Sequence, residues 1–351
     1  MANRSVERPG PVVLVGSATE DWTGDAVFYE YSTAADPQAT GAIGPVPVHR
    51  FSPSLHAGGP SRIVPLDLAD ELGVGRPATS PGLLASFMVL RSGDQLVTEP
   101  DATSELYYCL RGRGASEFER RGPDGPAGSG RMAWRAGDFW TLPAGCTTVH
   151  VGSGPEGPEG PEGPMEQEPD EESSALLYRV TDAPLLRYLG VTPSSPRFEP
   201  TRFDGAEARA RLAEVERDPA AAGRSRVSIL LGNTATPQTL TATHTLWAML
   251  GILPAGAVQR PHRHQSVALD LITECSPGCF SLIGSRLGPD GTILDPVRVE
   301  WETAGAFVTP PGLWHSHHNE SGRPAYLVPV QDAGLHTYLR SLDIRFGTAA
   351  R

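Results

Sequence analysis

The chain has 351 residues, enough for two modest domains or one large one. Apolar content of 39 %, with 39 glycines and 34 prolines, fits a turn-rich, mostly β protein better than a helical bundle. A formal net charge of −12 argues against nucleic-acid or anionic-membrane partners, and the 29 basic residues are all arginine, which excludes lysine Schiff-base chemistry.

Residues 1–80 read as an N-terminal arm, rich in Gly and Pro, with a few edge strands and a short helix near 66–72. His49 and His56 fall here and read as surface residues. The start of the chain lacks the apolar core of a secretory signal, and no apolar run approaches the ~20 residues that cross a bilayer. Four cysteines make no disulfide framework in a chain of this length. Cys275 and Cys279 read as small apolar residues flanking a hairpin turn, with a redox pair as the alternative. A cytoplasmic location is expected.

From Pro81 the pattern turns to strands, at 83–90, 105–110, 115–118, 139–142 and 175–180, separated by Gly, Pro and Asp turns. The same order recurs at 246–250, 268–272, 280–283, 307–309 and 325–330. Around Asp182 and Asp332 the two halves match residue by residue, so the chain contains an internal repeat. Residues 81–191 form the first unit and 227–351 the second. The Gly-Pro-Glu run and acidic stretch within 152–174 cannot bury a core and are expected to be disordered. Residues 192–226 read as a linker whose segment 205–217 forms a solvent-facing helix, with Glu and Arg spaced for i,i+4 pairs.

The chemistry concentrates in 256–319. His262 and His264, one residue apart on a strand, point to the same side. His315, following the Pro310-Pro-Gly312 turn, can return beside them if the intervening chain folds as antiparallel hairpins. Three imidazoles on one side of a barrel make a first-row metal site with open positions. Gly256-x5-His262-x-His264 and Pro310-x-Gly312-x2-His315-x3-Asn319 resemble the two cupin motifs. His-Arg-His with Ala268 four residues on, followed by Trp-His-x-His, is similar to the gentisate and salicylate 1,2-dioxygenase group of bicupins. The expected fold is therefore all-β, with two tandem cupin (double-stranded β-helix, jelly-roll) barrels, short helices and the N-terminal arm.

In the first repeat Gly93, Gly112, Gly137, Pro143 and Gly145 keep the motif frame, while Glu99 and Asp101 stand opposite His262 and His264, and Thr148 opposite His315. Glu99, Asp101 and Glu105 could hold a hard cation, but three carboxylates repel one another, and a structural, metal-free first barrel is expected. His150, two residues past the motif position, would need a bulge to reach in. In the second repeat only four residues separate Gly305 from Pro310, with Ala306 at the usual Asp, a shortening that a turn absorbs.

Many cupins add a glutamate after the second histidine, but positions 265–268 offer no carboxylate. Three neutral imidazoles leave the full +2 charge and roughly three open positions, suited to a bidentate anionic substrate and O2, and Fe(II) suits that chemistry best among first-row ions. The resemblance would require three His and one Glu around Mn for oxalate chemistry, which the absent glutamate disfavours. By parity Ser266, Ala268 and Asp270 share the inward side. Ala268 leaves room for a ring, and Asp270 either meets a ligand imidazole or a cationic substrate group, or ends its strand in solvent. Arg263 faces outward, so Arg260 and Arg286 are the candidates for an anion contact. His317 is the candidate acid or base, His318 points the other way, and Asn319 is a turn residue. Trp314 and Trp301 either wall the pocket or pack in the core, and His244 and His336 read as structural. The expectation is a cytoplasmic Fe(II) dioxygenase acting with O2 on a small aromatic or similar chelating substrate, with neither nucleic acid nor membrane as partner. The arm offers a route to a homo-oligomer. The alternatives are an Fe(II) oxygenase that hydroxylates, cleaves or rearranges a specialised, amine-bearing metabolite, and a non-catalytic metal-binding bicupin or metal-dependent isomerase.

Overall fold

The computed structural model describes residues 22–38, 41–122, 125–153, 174–219 and 226–347. The acidic insertion lies, over 154–173, outside the described residues. Met1–Gly44 cluster as one unit, whose described part holds the short helix Tyr31–Ala34. Pro45–Arg351 form the other.

The second unit carries the all-β double barrel that the repeat implies. In the first barrel a six-stranded antiparallel sheet runs in the order Thr201–Phe203, Phe139–Pro143, Ser104–Arg111, Ser174–Thr181, Leu84–Arg91, Arg62–Pro65. A four-stranded sheet of Gln95–Thr98, Cys146–Ser153, Arg113–Gly122 and Gly125–Arg135 accompanies it. In the second barrel the six-stranded order is Arg50–Phe51, Ala306–Thr309, Ala268–Glu274, Ala325–Gln331, Trp247–Leu253, Val227–Leu231. Its companion is five-stranded: Val297–Glu300, Cys279–Gly284, Trp314–Asn319, His262–Arg263, Arg345–Phe346. The segment after Pro45 supplies an edge strand to each barrel, Arg50–Phe51 to the second and Arg62–Pro65 to the first.

Strand parity divides the core. Phe87, Val89, Leu106, Tyr108, Tyr178 and Val180 of the first barrel pack in one cluster with Leu269, Leu271, Val308, Val328 and Val330 of the second. Their alternates fill the barrels, with Met88, Leu90, Tyr107 and Leu177 inside the first and Ile272, Phe307 and Leu327 inside the second. Each such side chain removed from water contributes ~1.5–3 kcal/mol before chain entropy is counted. The paired aspartates of the repeat stitch this arrangement. Asp182 accepts from the amides of Thr103 and Ser104 and from the Thr245 hydroxyl of the other barrel. Asp332 accepts from the amide of Val267.

Several local expectations are corrected. The helix Gly205–Arg217 is amphipathic, not wholly solvated: it buries Gly205, Ala208 and Leu212, and Asp204 caps its first turn. A Cβ on Gly205 would lie 2.3 Å from the Gly137 carbonyl carbon, so only glycine permits this docking. His56 is buried, 4 % exposed, with its Nε2 at 3.0 Å from the Ala304 carbonyl, and its ring meets Phe87 edge-on. Motif two of the second repeat is not shortened. Ala304 occupies the turn position of Gly137 and takes the left-handed conformation itself, with φ 63° against 92° for Gly137. Gly305 then falls opposite Asp138, and the Pro-x-Gly turns of the two repeats coincide. Cys275 and Cys279 are free thiols, the latter buried against Asn319.

Candidate metal centre

His262 and His315 stand directly opposite each other on neighbouring strands, and His264 follows one residue beyond the end of its strand. Gly256 and Gly312 turn the chain into these strands with φ of 71° and 74°, a region open to glycine at little cost. The three histidines are each 3 % exposed or less, and their ligating nitrogens all lie within 4.8 Å of one another. Among the described residues this is the one cluster of metal-binding side chains at such spacing.

Hydrogen bonds select the tautomer. His262 Nδ1 lies 3.1 Å from the Arg260 carbonyl, His264 Nδ1 2.8 Å from the Ser266 carbonyl, and His315 Nδ1 3.1 Å from the Leu313 carbonyl. A carbonyl only accepts, so each Nδ1 carries the proton and each Nε2 presents its lone pair. Burial lowers the pKa of all three, that of His264 to about 4, so the imidazoles are neutral at neutral pH. The Nε2 of His264 is buried without a partner. Neutral, converging, pre-oriented lone pairs are what a first-row divalent ion requires, and His262, His264 and His315 fit one. Ser266 adds support: its hydroxyl lies 3.0 Å from His264 Nδ1 and donates to Gln331 Oε1 at 2.9 Å.

The remaining candidates separate cleanly. Asp270 is 2 % exposed and lies on the inward side of its strand, not in solvent. Burial pushes its pKa up to about 6, against the Thr309 hydroxyl, which donates at 2.7 Å, and the charge of Arg226. Ala268 is buried on the same side of that strand. His317 is 1 % exposed, with its Nδ1 at 2.7 Å from the Ser281 hydroxyl. Arg260 is exposed and lines an outer pocket with Ser316 and His318. Arg286 is exposed and ion-paired with Asp295 at 3.3 Å. Trp314 lies under the Arg263 guanidinium, 5.1 Å from its ring centroid. These three are not brought to the triad: Trp314, Ser316 and His318 alternate outward from His315 and His317. Trp301 packs inside the barrel, its ring 5.6 Å from that of His317.

Two residues near the triad escape sequence reasoning. Arg226, the last residue assigned to the linker, places its Nη2 at 3.3 Å from His262 Nε2 and an Nη1 at 3.1 Å from Met249 Sδ. Its only sequence signal is a lone arginine directly before the apolar strand Val227–Leu231. Phe346, on the C-terminal strand that pairs with His262–Arg263, stacks 5.9 Å from the His262 ring. In the first barrel, by contrast, Glu99 and Asp101 are exposed, with Glu99 beside Arg121 at 3.5 Å, while Glu105 is buried and paired with Arg179 at 2.7 Å. The carboxylates do not converge. His150 points inward with no bulge, because two residues on from Thr148 is the same parity.

Fold and site together define a double-barrel fold of the bicupin type, with a three-histidine cluster in its second barrel. No protein-family model matches the chain, and no curated protein matches it in sequence. Among solved structures it is similar to a salicylate 1,2-dioxygenase from Pseudaminobacter salicylatoxidans, at 15 % identity and a TM-score of 0.60 over 85 % of this chain and 87 % of that one. A structure of that enzyme with gentisate aligns over 91 % and 90 %, with a TM-score of 0.61 and 14 % identity. Procruciferin, an 11S globulin from Brassica napus, aligns at 11 % identity and a TM-score of 0.51 over 86 % and 87 %. At such identities the likeness is one of fold, and a shared fold does not by itself specify chemistry. No described helix is long and apolar enough to cross a membrane.

Proposed function

We propose that this chain is a non-heme Fe(II)-dependent dioxygenase that oxidises a small aromatic or similarly chelating anion with O2. The observation that carries the reading is a buried centre of three neutral histidines, His262, His264 and His315, with no carboxylate in the cluster among the described residues and one half-buried cation, Arg226, at its edge. Fe(II) held there would supply open coordination positions and the redox capacity to move electrons from a chelated substrate to O2. The protein residues do the rest. Arg226, half-buried, offers its charge to a substrate carboxylate where water screens it less than at the surface. Ala268 leaves space beside the triad, and the apolar side chains Phe307 and Ile272 keep the barrel interior dry. His317 faces the site and handles the proton. Asp270 already accepts from Thr309 and feels the Arg226 charge, which lessens the case for a substrate amine at that position.

The test is oxygen uptake by anaerobically Fe(II)-loaded protein across gentisate, substituted salicylates and aminophenols. Uptake with ring-opened product is expected for carboxylate-bearing rings. Uptake without ring opening, or only with amine-bearing compounds, would move the reaction to hydroxylation or rearrangement, and no uptake with any chelator would leave a binding protein or an isomerase. His264→Ala should abolish iron retention, and iron at full stoichiometry in that variant would refute the centre.

A further inference from the structure

The two barrels share a hydrogen-bonded unit that the cupin motifs do not describe. In the first, Trp134 Nε1 donates to Ser116 Oγ at 3.0 Å, and Ser116 Oγ lies 2.8 Å from His150 Nδ1. In the second, Trp301 Nε1 donates to Ser281 Oγ at 2.9 Å, and Ser281 Oγ lies 2.7 Å from His317 Nδ1. Each serine stands opposite its histidine on neighbouring strands. All six residues are buried.

Donor chemistry fixes the direction of each unit. An indole N–H only donates, so the serine oxygen accepts from the tryptophan. The serine proton then needs an acceptor, and the imidazole Nδ1 is the one within reach; a buried hydroxyl left without one is costly. The histidine is therefore held as the Nε2–H tautomer. In the first barrel the other end of the chain agrees. His150 Nε2 meets Thr98 Oγ1 at 3.1 Å, Thr98 Oγ1 meets the Tyr107 hydroxyl at 3.2 Å, and Tyr107 donates to Glu105 Oε2 at 2.6 Å. Glu105, paired with Arg179, can only accept. Every proton runs from Trp134 to the carboxylate.

The second barrel keeps the start of this chain and lacks its end. Register places Ala268 where the first barrel has Glu105, Asp270 where it has Tyr107, and Pro329 where it has Arg179. His317 Nε2 is buried and has no partner. Its ring lies 6.1 Å from that of His262 and 5.8 Å from that of His315. We infer that Ser281 and Trp301 are positioning residues: they hold His317 as the Nε2–H tautomer, so that the second barrel turns a fixed donor toward its ligand where the first barrel has a completed chain. The inference rests on the proposed function only for the place of the ligand. It gives neighbouring inward residues of one strand opposite tautomers: His315 turns a lone pair to the centre, and His317 turns a proton. His317 is then a hydrogen-bond donor at rest, neither a fourth metal ligand nor a free base.

Two-bond ¹H–¹⁵N correlation on the full chain labelled with [¹⁵N]histidine, with and without Zn(II), reads the tautomers directly. His317, assigned by loss of its signals in His317→Gln, is expected as Nε2–H in both states, and Ser281→Ala should shift it toward Nδ1–H while Ser281→Thr leaves it unchanged. An Nδ1–H tautomer in the wild-type chain, or a zinc-bound Nε2, would overturn the inference whether or not the protein consumes oxygen. Salicylate titrated into the Zn(II)-loaded protein gives the second reading. His317→Leu should weaken binding by about 3–10-fold, the range of one net hydrogen bond, and His317→Gln, which keeps an N–H donor, by less. Equal weakening by both would count against the donor role.

Discussion

Asp270→Asn tests whether the barrel interior is as closed to water as its geometry implies. Asp270 is 2 % exposed, and burial raises its pKa from 3.8 to about 6. A carboxyl whose folded pKa lies above its unfolded value favours the protonated form, so its effect on stability is neutral below pH ~4. The native state then loses ground as pH rises toward 6, with no further change beyond. Two units correspond to about 3 kcal/mol, which for a chain of this size is about 4 °C in melting temperature. Asparagine keeps the shape and cannot ionise. Thermal melts of chelator-treated protein between about pH 4 and 8 should therefore show the wild type declining relative to Asp270→Asn by about that amount across this window. The intrinsic cost of the amide at Thr309 is common to every pH and cancels in the difference. Parallel pH profiles for the two proteins would mean that Asp270 is solvated or fully compensated by Arg226, and the description of a dry interior would fail.

Arg226→Met should raise KM for a salicylate-like anion by about 10–100-fold, the range for a lost hydrogen bond to a charged group, with kcat changed much less. The same variant should bind Zn(II) or Fe(II) more tightly than wild type by isothermal titration, because the guanidinium no longer contacts His262 Nε2 or repels the ion. Ala304→Gly should stabilise the protein by about 0.5–1 kcal/mol, since alanine bears the cost of a left-handed conformation there. Gly137→Ala, at the equivalent turn of the first barrel, should destabilise by a similar amount, and melting temperatures that move together in these two variants would contradict the equivalence.

The fold was legible because two periodicities agree. Strand alternation marks the inward faces, and the match around Asp182 and Asp332 marks the two copies. The triad was legible for the same reason, since His262 and His264 share parity and His315 follows a turn that glycine alone enters easily. What was not legible depends on register and on distant segments. Arg226 reaches His262 only because the strand Val227–Leu231 is an edge partner of Trp247–Leu253, a pairing that no local pattern announces. Phe346 reaches it only because the C-terminal strand pairs with His262–Arg263. Arg260 and Arg286 carry charge but are exposed away from the triad, a matter of strand parity and not of residue type, and His150 lies inward because two residues are one strand repeat.

Within the repeat, one frame carries two different interiors. Glu105, Tyr107 and Arg179 occupy the first interior with a buried ion pair and a chain of donors that ends on a carboxylate, an arrangement stable only when every member is present. Such a network cannot be emptied one residue at a time. Removing Arg179 alone would leave Glu105 buried and uncompensated, while removing Glu105 alone would strand both Arg179 and the Tyr107 hydroxyl. The second barrel carries the joint replacement, with Ala268, Asp270 and Pro329 at those positions. In this barrel Arg226 lies against His262 and Met249, and Asp270 accepts from Thr309. Among the described residues, the buried side-chain atoms of this barrel that have no partner include His264 Nε2 and His317 Nε2.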